Sequence, residues 1–161
     1  MSLLFSSSDG YQCAHLMDGA IKVIKEDIAR FHPLETGGIL IGHYDSNFKQ
    51  ATIQIAISAP LDSMHGYTSF ERGIQGIAGE IAEAKQKNSL LHYVGEWHSH
   101  PNESPLPSST DAWQMQKFAL GRYYGAQTPL LLIIGGMPPD GLQWHFSLHR
   151  LGRLSKHLAL V

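Results

Sequence analysis

The chain has one cysteine, Cys13. No intramolecular disulfide can form, so nothing points to an oxidising compartment, and Cys₄ and Cys₂His₂ zinc sites are excluded. Charge of neither sign is in excess. Twelve Lys and Arg stand against fourteen Asp and Glu, a formal charge of −2, which leaves no footprint for nucleic acid or an anionic membrane. No apolar run approaches the roughly 18 residues that span a bilayer. The opening MSLLFSSSDG has no basic stretch followed by a long apolar one, so it does not read as a signal peptide, and a cytoplasmic protein is expected. Repeats, linkers and low-complexity tracts are also missing. The expectation is one domain over residues 1–161, a length that buries roughly 70% of its unfolded surface. What the chain has in plenty is histidine, with ten.

Hydrophobic periodicity predicts the elements. Ala20, Ile21, Ile24, Ile28 and Phe31 recur at helical spacing over 18–31, with Asp18 as cap and Pro33 as stop. Residues 36–44 and 51–58 read as a β-hairpin turned at Asp45-Ser46-Asn47. Residues 60–68 read as loop and 69–87 as a long helix weakened by Gly73, Gly76 and Gly79. A central strand over 91–99 is followed by a Pro-rich loop, a helix over 108–123, and strands over 130–135 and 142–149. Residues 1–17 and the tail from 151 receive no element. The order of helices and strands predicts an α/β fold with a single mixed β-sheet sandwiched by helices.

The chemistry lies in EWHSHP and the Ser108-Ser109-Thr110-Asp111 step. Residues two apart on a strand share a face, so His98 and His100 project together as two ligands of one metal would. Ser108 and Asp111 have the spacing of a capping box. A short loop between the strand and the helix start brings the Asp111 carboxylate within reach of both imidazoles. Two His and one carboxylate with one open position is the ligand set of a hydrolytic zinc site. Three carboxylates compete to move a proton there: Glu35, Glu96 and Glu103. Strand parity alone does not separate them. Gly37 and Gly38 after Glu35 point to close backbone approach or a bulge. Trp97 and Trp113 are expected to pack around the site. The other histidines read as surface, strand or capping residues, with His65 alone placed to line a cleft.

These residues together resemble the JAMM (MPN+) metalloprotease motif: Glu35, then His98-Ser99-His100-Pro101, then Ser108 and Asp111. The resemblance implies the JAMM/MPN, cytidine-deaminase-like fold over nearly the whole chain. It implies Zn²⁺ held by His98, His100 and Asp111, with Glu35 as general base and Ser108 as hydrogen-bond donor to the oxyanion. The choice of Glu35 rests on that resemblance alone. ETGGILIG, PLDSMHGYTSFERG and YVGEWHSHPNESPLPSSTD further resemble a bacterial subfamily of stand-alone JAMM proteins that accompany anti-phage CBASS operons. That subfamily cleaves the bond joining the C-terminus of a cGAS-like nucleotidyltransferase to its targets. A protein substrate is thus implied, with the 60–68 loop and the 121–129 stretch as its contacts; neither nucleic acid nor membrane is.

Other readings remain open. A JAMM peptidase trimming a sulfur-carrier, a ubiquitin-like protein or a phage tail protein would use the same site. A non-catalytic MPN interaction module would bind no metal tightly. A zinc deaminase needs a C-x-x-C pair, which one cysteine cannot supply.

Overall fold

A computed structural model describes residues 1–121, 123–126 and 128–161. Its strands are β1 (Leu3–Ser6), β2 (Cys13–Leu16), β3 (Gly37–Tyr44), β4 (Gln50–Ile57), β5 (Met64–His65), β6 (Phe70–Glu71), β7 (His92–Pro101), β8 (Leu130–Met137), β9 (Gly141–Leu148) and β10 (Lys156–Leu160). Its α-helices are α1 (Asp18–Phe31), α2 (Ile77–Lys87) and α3 (Ser109–Gly121). No helix among the described residues is long and apolar enough to cross a membrane.

The sheet is mixed: β2 runs parallel to β4 and β7 parallel to β8, and the other pairs are antiparallel. It departs from the expected sandwich in one respect. The order β1-β10-β9-β8-β7-β3-β4-β2 closes on itself because β1 pairs with both β10 and β2. Closure consumes the exposed hydrogen-bonding edges that an open sheet would leave. The strands that do this come from the two terminal segments that carry no clear periodicity.

Alternation along the strands separates two apolar layers. Ile21, Ile24 and Ile28 of α1 join Leu40, Ile53, Val94, Leu132 and Phe146 in the main cluster. On the opposite face, Ile77 and Ala84 of α2 pack with Ile39, Ile41 and Tyr93, and Met115 and Phe118 of α3 with Leu131 and Ile133. The site lies on this second face, between the β5–β6 hairpin and α3.

The helix expected over 69–87 begins only at Ile77. Gly76 stands at its N-cap with φ +81°, a conformation glycine adopts without steric cost. Residues 64–71 instead form the small β5–β6 hairpin. Tertiary contacts override helical spacing here: Phe70 and Arg72 are needed elsewhere.

Candidate active site

β7 is central, paired to β3 on one side and β8 on the other. His98 and His100 lie at its C-terminal end on one face. His98 Nε2 is 3.1 Å from His100 Nε2. Asp111 Oδ1 is 3.4 Å from His98 Nε2, and its Oδ2 is 3.7 Å from His100 Nε2. Three donor atoms thus converge within 4.8 Å of one another. Tetrahedral donors about 2.0–2.2 Å from a common ion stand roughly 3.3–3.5 Å apart, so the residues fit a metal ion. His100 Nδ1 is 3.2 Å from the Ser104 carbonyl. A carbonyl only accepts, which puts the ring proton on Nδ1 and leaves the Nε2 lone pair facing the triad. Burial and the adjacent His98 ring also hold the His100 pKa below its ordinary value, favouring the neutral form that ligates.

Asp111 has two duties. Its Oδ2 accepts from the Ser108 N–H at 2.7 Å and from the Ser108 hydroxyl at 2.7 Å, while the Asp111 N–H donates to Ser108 Oγ at 3.2 Å. This is a reciprocal cap at the start of α3, and it aims the carboxylate's other oxygen at His98. Burial works to raise the Asp111 pKa, but His98 and the Ser108 hydrogen bonds outweigh it and hold the carboxyl well below the usual range. Ser108 lines the cavity beside the triad, with its hydroxyl proton given to Asp111.

Glu35 reaches the same cavity from the segment before β3. Its N–H donates to the Gly66 carbonyl at 2.7 Å, and His65 Nδ1 meets its carbonyl oxygen at 2.9 Å. His65 in turn stacks on Phe31 at 4.1 Å. So His65 braces the backbone of Glu35 and is not among the residues lining the cleft. Burial pushes the Glu35 pKa up to about 7. His98 opposes the rise, and Asp111 and Glu103 add to it. A carboxyl near 7 is poised to both take and return a proton at neutral pH.

The consequence for stability has a definite sign. Between the ordinary 4.5 and about 7, the metal-free folded protein keeps a proton that the unfolded chain has shed. Rising pH therefore lowers stability across that window, and the loss is complete above it. Glu35→Gln in chelator-treated protein is expected to raise stability at pH 8 by on the order of 1 kcal/mol, less than the full shift because the carboxylate faces cavity water. The gain should vanish at pH 4. Thermal unfolding at the two pH values checks it, and no gain at pH 8 would contradict a buried, unpaired Glu35.

Glu96, the rival carboxylate, is committed elsewhere. Arg72 Nε and Nη2 donate to its two oxygens at 2.7 and 3.1 Å, and the Tyr93 hydroxyl donates at 2.7 Å. Both members of the ion pair are about nine-tenths buried. Removing Arg72 would strand a buried carboxylate. Arg72→Ala is therefore expected to destabilise the fold by about 3–5 kcal/mol, read as a lowered denaturant midpoint. A midpoint unchanged from wild type would show the pair to be solvated.

Arg72, Phe70 and Ser99 were not visible as site residues in the sequence. Ser99 points to the opposite face from its histidine neighbours. Its hydroxyl accepts from the Thr36 N–H at 3.0 Å, and its N–H donates to the Thr36 carbonyl at 2.8 Å. It thereby ties the strand bearing both histidines to the residue after Glu35. The diglycine is a matter of approach and not a bulge. A Cβ on Gly37 would sit 2.6 Å from Phe70 and 2.8 Å from His98 Cβ, and one on Gly38 would meet Trp97 Nε1 at 2.8 Å. The register shifts fall further along, at Leu40–Gly42. Trp97 is buried and donates to the Ile57 carbonyl. Trp113 is 63% exposed with Lys117 over its ring, so it does not pack around the site as expected. Glu103 lies in the loop rimming the cavity. Of the 121–129 stretch, Arg122 and Gln127 lie outside the described residues.

A family model described as prokaryotic homologs of the JAB domain matches residues 18–147. The chain belongs to this JAB family. Among its JAB relatives is a CD-NTase/cGAS isopeptidase of Enterobacter hormaechei, 37% identical over 134 residues, 83% of this chain and 73% of the relative. Another is a probable metalloprotease, y4qB, of Sinorhizobium fredii, 27% identical over 127 residues, 78% of this chain and 77% of that one. The JAB fold is also similar to the solution structure of protein DSY2949 from Desulfitobacterium hafniense, with TM-score 0.56 and 17% identity over 90% of this chain and 87% of that one. Relatives named isopeptidase and metalloprotease support a hydrolase of peptide or isopeptide bonds.

Proposed function

We propose that this protein is a zinc-dependent isopeptidase, carried by one domain over residues 1–161 and acting in the bacterial cytoplasm. Its substrate is the amide bond that joins the C-terminus of a conjugated cGAS-like nucleotidyltransferase to a target protein, in anti-phage defence. The observation that carries the reading is the convergence of His98, His100 and Asp111 beside a buried Glu35 whose pKa lies near 7. The name of the relative that is 37% identical over 83% of the chain supports the substrate.

Two imidazole nitrogens and a carboxylate oxygen at near-tetrahedral spacing suit Zn²⁺. Bound there, zinc would acidify a water and polarise a carbonyl at neutral pH. Glu35 takes a proton from the attacking water as its oxygen adds to the scissile carbonyl carbon. The C–N bond then breaks, and Glu35 returns the proton to the leaving nitrogen. Ser108 Oγ turns its proton from Asp111 to the oxyanion of the tetrahedral intermediate. The Arg72–Glu96 pair and the Ser99–Thr36 bonds hold β6, β7 and the Glu35 segment in register, so that the carboxyl stays over the triad.

A reporter fused after the C-terminal segment of a CBASS nucleotidyltransferase tests this. Wild type should cleave it, and Glu35→Ala and chelator-treated protein should not. Failure by protein carrying one equivalent of zinc would move the substrate to a sulfur-carrier, ubiquitin-like or phage tail protein. Protein that takes up no zinc would be a non-catalytic module.

A further inference from the structure

Glu35 belongs to neither a helix nor a strand. It stands in the short segment between α1 and β3, so no ladder holds its backbone. The β5–β6 hairpin takes both polar groups of its main chain instead. The Glu35 N–H donates to the Gly66 carbonyl at 2.7 Å. The Glu35 carbonyl oxygen lies 2.9 Å from His65 Nδ1. A carbonyl only accepts, so Nδ1 carries the proton and donates.

The His65 ring is itself held. Phe31, the last residue of α1, stacks on it at 4.1 Å with 9° between the planes. Phe70 of β6 meets it at 5.3 Å. The hairpin is also fastened at its base. Asp62 accepts from the N–H groups of Ile74 and Gln75 at 3.0 and 3.1 Å, and Ser63 Oγ accepts from the Gly73 N–H at 2.9 Å. Arg72 ties it to β7 through Glu96. A fastened hairpin thus presents a fixed donor to the residue that moves the proton. His65 does not line the cavity, so any effect on turnover passes through Glu35.

We propose that His65 is a positioning residue for turnover, whose Nδ1–H on the Glu35 carbonyl sets where the Glu35 carboxyl stands beside the triad. The inference rests on the peptidase reading above. A displacement of about 1 Å at a reacting group costs about a hundredfold in rate, so loss of this donor has a kinetic consequence out of proportion to one hydrogen bond.

Three substitutions separate the donor from the ring. His65→Phe keeps a ring between Phe31 and Phe70 but has no N–H. His65→Asn loses the ring but places an N–H donor the same number of bonds from the backbone. His65→Leu has nearly the shape of Asn without the donor. With zinc-loaded protein, Phe and Leu should lower kcat by about ten- to a hundredfold and leave KM and metal content unchanged. Asn should recover most of the loss. In a Glu35→Ala background, His65→Phe should slow the residual rate no further, because two residues acting as one unit are not additive. Amide exchange in metal-free protein gives a readout without turnover: the Glu35 N–H should exchange faster in Phe and Leu than in wild type or Asn. If His65→Phe does not fold, the Asn and Leu pair reads the donor alone. Unchanged kcat in folded Phe and Leu variants, or equal loss in Asn and Leu, overturns the role of the donor. Further slowing in the Glu35→Ala background overturns action through Glu35. Either result leaves the peptidase reading standing. No cleavage by zinc-loaded wild type overturns that reading and this role together.

Discussion

Glu35→Ala is expected to abolish hydrolysis while leaving one equivalent of metal bound. The carboxyl lines the triad cavity yet is not among the converging donors, so metal content should be untouched. Loss of a positioned general base costs about 10²–10⁴-fold in rate, and that is the expected drop in kcat. Metal analysis and single-turnover cleavage on the same sample check both halves. Full activity in this variant would pass the role to another carboxylate. Glu96 is already bound through both oxygens to Arg72, which would leave Glu103 at the cavity rim. Loss of metal together with activity would make Glu35 a ligand and contradict the geometry.

Asp111→Ala is expected to lose the metal itself. Even an outer partner of a metal ligand is worth about 10–100-fold in affinity, so removing one of three ligands should reduce bound metal below stoichiometry at micromolar protein. The same change removes the cap on α3, worth about 1 kcal/mol, and the two effects need separating. Asn at this position can still accept from the Ser108 N–H but carries no charge. Asp111→Asn should therefore keep the stability of α3 and still bind metal poorly. Retained stoichiometric metal in both variants would return Asp111 to a purely capping role. Ser108→Ala completes the comparison, since it loses the hydroxyl while leaving the carboxylate present.

Much of the site was legible because its signals are local. Parity on a strand puts His98 and His100 on one face whatever the rest of the chain does. A Ser-x-x-Asp cap is likewise a matter of four residues, and the reciprocal Ser108–Asp111 bonds have the expected form. The α1 helix also runs to Phe31 as predicted, because its apolar stripe repeats cleanly, but Met17 and not Asp18 stands at its N-cap and Asp18 is its first helical residue. The segment 69–87 misled because Phe70, Ile74, Ile77 and Ile81 have helical spacing while the first of them serves a different purpose. Phe70 fills the space beside Gly37, and Arg72 neutralises Glu96, contacts that bridge 24 residues or more of chain.

By itself, then, the sequence determined the candidate donors His98, His100 and Asp111, the shared face of the two histidines, the cap that carries the carboxylate and the absence of any cysteine-based alternative. Each of these depends on spacings of two to four residues. Only the tertiary structure decided which carboxylate faces the triad. Glu35, Glu96 and Glu103 are equivalent as residue types. They are separated by burial and pairing: Arg72 claims one, the loop after β7 carries one at the rim, and the β5–β6 hairpin pins the third beside the histidines. The same holds for the closure of the sheet, since whether two edges meet depends on accumulated twist and on the partners of the terminal strands, and no short window of sequence records either.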